Sequence, residues 1–422
     1  MLPAAPSHAI SAASNHKGTD PSQSALMLFF VRNQITLPIA IMSAVFAGPY
    51  LLPKQAEFFQ RFYQLSYRVE QTGLYVKGTD DVYFCFFAVV VFTFVRAFAM
   101  DYVFTPFARW AGIRSQKGLA RFAEQAWSWA YYCASFSLGL YIMYHSTYWL
   151  NLEELWIGWP HRESSYIFKW YYLVEIAFSF EQIFVLNIEA RRKDHVQMFS
   201  HHIVTCLLLI GSYNYSFIRV GNIILSLMDF VDSLLSAAKM LKYLGYQKLC
   251  DFTFGVFIFS WIVCRHFLFV KVTISAIYDS HNLIGYKCFV NPIDQADSFS
   301  NPIVHVPSPN GTVSGMGDEQ CFTERIHYFF ISLLLVLQVL TVSWFYMIIK
   351  VAIKVVSGKG ADDSRSGDED SDFDDDDVEL KNKTVEKKVV KEKKAEKEVR
   401  EVMAETKNGI STKTGDSLTL EE

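Results

Sequence analysis

Charge is scarce in this sequence: only 19% of its 422 residues are Asp, Glu, Lys or Arg, against 51% hydrophobic and 16% aromatic. So little charge excludes an ordinary set of soluble domains. Cysteine pattern is also lacking, since the seven cysteines include no CxxC pair, which removes a zinc-knuckle or thioredoxin-like site. Only Cys288 and Cys321 flank one polar loop, and they are the disulfide candidates. No early apolar run exists: residues 1–23 are rich in Ala, Ser, His and Pro, so a cleaved signal peptide is not supported and residues 1–34 read as a disordered head. The halves of the chain show no similarity to one another, which disfavours a transporter built from repeats. The net charge of -4 sums unlike regions, and no nucleic-acid partner is expected.

Apolar length is what the chain has. A helix crossing about 30 Å of hydrocarbon needs roughly 20 apolar residues. Eight stretches approach that: Ile35–Leu52, Val82–Pro106, Ala126–Tyr148, Ile167–Ala190, Met198–Tyr213, Phe217–Leu241, Phe252–Tyr278 and Ile326–Val356. Runs such as YFCFFAVVVFTFV are apolar all round, unlike soluble core helices with a polar outer face. The fold class expected is an all-α polytopic membrane protein with about eight transmembrane helices.

Basic residues fix an expected orientation, because short Lys/Arg-rich loops stay in the cytosol. Arg109, Arg114, Lys117 and Arg121 follow the second stretch; Arg191, Arg192 and Lys193 the fourth; Lys239, Lys242 and Lys248 the sixth. The alternate loops hold Glu153, Glu154, Glu163 and a long polar stretch with NGT at Asn310, a glycosylation candidate. Both termini then lie in the cytosol, and Cys288 and Cys321 in an oxidising lumen. From residue 357 the chain becomes an acidic, then Lys/Glu-rich tail too charged to fold alone. Ser364, Ser366 and Ser371, set among Asp and Glu, are phosphorylation candidates.

Ionisable groups inside a span cost about 2.5–3.5 kcal/mol each near a helix centre, so they mark cavities and function. The fifth stretch places His201 and His202 among apolar neighbours, and the sixth carries Asp229 and Asp232, three residues apart on one helix face. At about 1.5 Å per residue, His201 and Asp232 each lie about 10 Å inside their basic boundaries, so antiparallel neighbours bring the four to one level. A histidine there can be a nucleophile or general base, oriented by a nearby carboxylate. A zinc site from these four is chemically allowable but is not the favoured reading, and no metal is expected. The 11 histidines include too few within spans for the several His boxes of a membrane diiron centre. Arg191, Arg192 and Lys193 suit the phosphates of a nucleotide-bearing substrate as well as an orientation signal.

The run RRKDHVQMFSHHIVTCLLLIGSYNYSFIRVGNIILSLMDFVDSLLSAAKMLKY is similar to the Lag motif of ceramide synthases, matching in order from Arg192 through His201, His202, Arg219, Asp229, Asp232, Lys239 and Tyr243. Upstream, KGLARFAEQAWSWAYYCASFSLGLY with Trp149, Trp156 and Pro160 resembles the opening of the same TLC domain. The extra N-terminal span and acidic tail look like the yeast and fungal branch. Ser216 and Met228 depart from residues common in the family, Asn and His, without removing a group the chemistry needs. The resemblance implies six helices forming a barrel around a central cavity, over a domain spanning 117–356 that follows transmembrane helices and a luminal loop at 35–116; residues 357–422 form the tail.

The same resemblance implies a sphingosine N-acyltransferase of the endoplasmic reticulum membrane, moving a fatty acyl group from acyl-CoA to the amino group of a sphingoid base. His201, His202, Asp229 and Asp232 would be catalytic, with an acyl-imidazole on one histidine, His201 being favoured. Arg191, Arg192, Lys193, Arg219 and Lys239 are the substrate-binding candidates. No cofactor is expected, because the thioester supplies the driving force. A small single-span accessory subunit and a homo- or hetero-dimer are implied partners beside membrane lipid. A non-catalytic lipid-binding or translocation-associated TLC protein is the alternative, disfavoured because the full His/Asp set is present.

Overall fold

The computed structural model describes residues 29–30, 32–188, 195–290, 303–305 and 319–356. All belong to one compact unit, Met1–Ser366. Asn310, the Arg191–Lys193 cluster and Ser364, Ser366 and Ser371 lie outside the described residues. Each of the eight apolar stretches is helical: α1 Thr36–Leu51, α2 Asp81–Trp110, α3 Gln116–Tyr144, α4 Tyr166–Ile188, α5 His195–Asn214, α6 Ile218–Tyr243, α7 Gln247–Ile284 and α8 Glu324–Val356. Among the described residues, α2, α5, α6, α7 and α8 are long and apolar enough to cross a bilayer, and α1 with Pro53–Gln60, bent by 110°, makes a sixth candidate. The protein is a multi-pass, all-α membrane protein. α3 and α4, with 29 and 23 residues, are as long as a span.

Element ends follow local chemistry. α3 begins ten residues before the expected start, capped by Ser115, whose hydroxyl accepts from Gly118 N at 3.4 Å. Leu119, Phe122 and Ala126, at helical spacing, bury against Ala108 and Ile113. α2 runs past Pro106, which would otherwise clash with the carbonyl four residues back. A π-helical segment, Ala99–Phe104, widens the turn just before it. α7 has a similar π segment, Ile262–Leu268. It also extends to Ile284, so His281, read as loop from sequence, lies in a helix. Phe29 and Phe30 are helical too, within the head expected to be disordered.

Helices α3 to α8 close a ring: α3 packs on α4, α4 on α5, α5 on α8, α8 on α7, α7 on α6 and α6 back on α3. α2 braces the outside of α4. That brace is fixed by charge, with Lys169 Nζ 2.7 Å from Asp81 Oδ1 in a pair whose side chains are only 1% and 4% exposed. Lys169 also donates to Ser66 O and Val76 O, and Tyr213 Oη donates to Asp81.

One end of the ring carries a small cap with two antiparallel sheets, which the all-α expectation did not include. β1 (Tyr75–Val76) pairs with β2 (Glu163–Ser164), and β3 (Lys287–Val290) lies between β4 (Ile303–His305) and β5 (Glu319–Phe322). Cys288 stands opposite Cys321 in the β3–β5 register, and the two are joined by a disulfide. Trp159, stacked on Phe217, also meets Phe289 and Phe322 and seals the cap onto the ring. Lys77 reaches in from β1 to donate to Gln320 Oε1 at 3.0 Å and to the Asn214 carbonyl. Burial, with Arg162 nearby, lowers its ammonium to about 8.

Candidate active site

Inside the ring lies a cavity with about 1160 Å³ of space free of protein atoms, counted out to its opening, and all six helices line it. α6 contributes a stripe from Phe217 to Asp232 at helical spacing, which makes the cavity about 22 Å long. Its middle is apolar, with Leu208, Ile224, Leu334 and Leu337. One end is closed by Trp156, Phe217 and Phe322, with Ser280 and His327 beside them.

The other end is polar, and here His201, His202, Asp229 and Asp232 all face the same space. They get there because α5 and α6 are antiparallel, joined by a short turn in which Ser216 takes φ +58°. The two imidazole centroids are 5.4 Å apart, and His201 meets Trp344 of α8 edge-on at 5.1 Å. Both residues line the cavity, and the buried His201 Nδ1 has no hydrogen-bond partner.

Each of the two carboxylates has a partner on another helix of the ring. Asp232 Oδ1 receives Arg265 Nη2 at 2.7 Å, and that guanidinium lies 4.0 Å from the Trp261 ring centroid and reaches the Met228 carbonyl at 3.3 Å. Arg265 sits in the π segment of α7, where the altered helical phase turns it inward. Asp229 is held instead by Ser135 of α3, whose hydroxyl also meets Glu175 of α4. The two acids of α6 therefore lie in different surroundings. Asp232 faces a fixed cation, and Asp229 faces another acid across a hydroxyl.

Glu175, Ser135 and Arg265 were missed from sequence, although the rule that selected Asp229, an ionisable group in an apolar run, applies equally to YYLVEIAF and WIVCRHFLF. Arg219 is on α6 but away from the polar end: it donates to Glu154 O at 2.7 Å and lies over the Tyr148 ring. Lys239 lies seven residues beyond Asp232 and does not line the cavity. Among the described residues no group of three or more His, Cys, Asp or Glu is placed to hold a metal ion.

A single chamber, acidic and imidazole-bearing at one end and apolar along its length, has room and surface for a long-chain amphiphile. Comparison with known proteins gives the family. The TLC domain model matches residues 121–350. Sphingosine N-acyltransferase lag1 of Schizosaccharomyces pombe is 43% identical over 353 residues, 83% of either chain. Sphingosine N-acyltransferase-like protein ALT7 of Alternaria alternata is 41% identical over 316 residues, 72% of this chain and 71% of its own. Ceramide synthase LAG1 of Saccharomyces cerevisiae is 34% identical over 274 residues, 62% of this chain and 66% of its own. The chain belongs to the TLC-domain family, in its fungal ceramide-synthase branch. It is an acyltransferase.

Proposed function

We propose that this protein transfers a fatty acyl group from acyl-CoA to the amino group of a sphingoid long-chain base, dihydrosphingosine or phytosphingosine, through an acyl-imidazole on His201. The observation that carries this reading is the placement of His201, His202, Asp229 and Asp232 on one cavity wall space, at the head of an apolar slot of lipid dimensions. Relatives of the same length bear the name sphingosine N-acyltransferase, which supports the choice of acceptor.

In this reading a His201 nitrogen lone pair forms a bond to the thioester carbonyl carbon while the C–S bond breaks. The thiolate leaves as free thiol with the imidazole proton, aided by His202. The amine then forms the C–N bond, the bond from carbonyl to imidazole breaks, and the ring recovers a proton from the attacking nitrogen. The acids beside the histidines, with Asp232 fixed by Arg265, leave a net negative charge that draws the cationic amine to the ring. No cofactor is needed, since the thioester already carries the driving force. The Arg191–Lys193 cluster, with Lys239, would serve the coenzyme A phosphates, whereas Arg219 is placed at the opposite end of its helix and would not. The protein would sit in the endoplasmic reticulum membrane with both termini in the cytosol, with a single-span accessory subunit and a dimer as its assemblies.

Purified protein incubated with acyl-CoA alone should gain the mass of one acyl group, and His201→Ala should not. Adding the base should discharge the adduct as N-acylated product. Equal product from wild type, His201→Ala, His202→Ala and Asp232→Asn would overturn the assignment.

A further inference from the structure

Beyond the four motif residues, the chamber wall holds a second acid pair between α3, α4 and α6. Ser135 Oγ lies 2.6 Å from Glu175 Oε1 and 2.5 Å from Asp229 Oδ2, and Tyr131 Oη donates to the same Glu175 oxygen at 2.9 Å. Ser135, Glu175 and Asp229 are all buried. A serine hydroxyl has one proton to give. It can satisfy one of these carboxyl oxygens, and the other must then meet the serine oxygen lone pairs at hydrogen-bond distance. That contact is favourable only if the second carboxyl carries a proton and donates it. Two ionised acids joined by one oxygen atom also repel each other in a site shielded from water, and the cation of the chamber is turned elsewhere, since Arg265 binds Asp232.

We propose that Asp229 and Glu175 hold one proton between them through Ser135, which makes Glu175 a positioning residue that sets the protonation of Asp229. The catalytic meaning of this pair rests on the N-acyl transfer reading; the shared proton itself does not. A sphingoid base enters as R–NH3+, whose nitrogen has no lone pair to give. The pair has one open position, takes that proton and so holds two. The freed amine forms the amide C–N bond as the acyl–imidazole bond breaks, and its second proton goes to the departing ring. The pair then returns its extra proton to the cavity, so the sum is amide, free thiol and one proton released. The other titratable and charged groups around the pair are Tyr131 and Tyr132 of α3, Tyr171 and Tyr172 of α4, His201 and His202 of α5, Asp232 of α6 and Arg265 of α7.

Infrared spectroscopy of the full-length protein in lipid nanodiscs tests this without turnover. Wild type at neutral pH should show the C=O stretch of a protonated carboxyl that Glu175→Gln removes and Asp232→Asn leaves in place. In turnover, Glu175→Gln should move the acid side of the kcat/KM profile to lower pH by about one unit or more, while Glu175→Asp keeps it near wild type. Ser135→Ala, which removes the bridge with little change of volume, should keep a protonated-carboxyl band but move its frequency, because the bridging hydrogen bond is gone, and it carries the test should Glu175→Gln not fold. A band and pH profile unaltered by Glu175→Gln, or by Ser135→Ala in its place, overturns the proposal. A protein with the band but no acyl transfer would overturn the functional reading and leave the shared proton standing.

Discussion

Replacing Arg265 by Met tests how the polar end of the chamber is held. Its side chain is 4% exposed and that of Asp232 29%, with 2.7 Å between Nη2 and Oδ1. Breaking a fully buried ion pair from one side costs about 3–5 kcal/mol, because a charge is left without compensation. Asp232 keeps some contact with the cavity, which lowers that to about 2–3 kcal/mol. Loss of the guanidinium over Trp261 adds about 1 kcal/mol. Met retains most of the apolar stem, so little of the change is lost packing.

The assay is a double-mutant cycle on reversible unfolding in mixed micelles, using Arg265→Met, Asp232→Asn and both together. Each single variant leaves one charge without its partner across this pair, and the double variant leaves no charge there. The coupling energy should therefore be about 2 kcal/mol in favour of the double variant. Catalysis should behave differently: a loss of about 2 kcal/mol in transition-state stabilisation is about 30-fold in kcat/KM, and the double variant should not regain it, because the acid is gone. A coupling energy under about 0.5 kcal/mol, or an Arg265→Met enzyme at full rate, would refute the reasoning.

Three further outcomes follow from other parts of the molecule. A methyl group at Gly221 would stand inside contact distance of Tyr172 Oη, itself hydrogen-bonded to Ser212, and both Gly221 and Tyr172 line the cavity. Gly221→Ala should cost about 1–3 kcal/mol of stability and lower acyl transfer, and Tyr172→Phe in the same chain should restore part of both. Lys169→Met strands Asp81 at the junction of α2 with the ring, so thermal unfolding should show a loss of about 3–5 kcal/mol, with an intact-size protein in lipid as the control for assembly. His161, in the cap, is held by burial and by Arg219 at about 4 against an ordinary 6.5. The unfolded chain therefore binds a proton first as pH falls, so this contribution to stability is complete above pH 6.5 and is lost between 6.5 and 4, about 3 kcal/mol in all. His161→Asn should flatten that part of the stability–pH curve.

How much of this was legible beforehand depends on the range of the signal. Apolar runs of span length are local, and all eight were found, with errors confined to ends such as Gln116, where a serine cap and an amphipathic first stretch extend the helix beyond its apolar part. The convergence of His201 and His202 with Asp229 and Asp232 was also readable, because consecutive antiparallel helices place equal depths opposite each other. What decides the state of those acids was not. Arg265 is 33 residues from Asp232 and lies in a π segment that no residue pattern announced. Ser135 and Glu175 come from helices 94 and 54 positions upstream of Asp229 by numbering, brought in by ring closure. The β-sheets of the cap were hidden for a related reason: strands of two to four residues carry too little periodicity to register.

Charge counting at the polar end then accounts for the choice of substrate ends. Arg265 carries one positive charge and Asp232 one negative, and these cancel across 2.7 Å. With a proton shared between Asp229 and Glu175, the pair keeps one negative charge, so the chamber has a net charge of minus one before any substrate enters. A cation entering beside it is stabilised more strongly than in water, since the surrounding medium screens less. The long-chain base has its cation at the end of its chain, so the apolar slot and the acid head select for the two halves of one molecule. An acyl thioester reaches the same head with a neutral carbonyl, which the charge neither attracts nor repels strongly, and is held by its chain. Neutralising the head by Asp229→Asn should therefore raise KM for the base far more than KM for acyl-CoA, whereas a purely structural role for Asp229 would raise both together or neither.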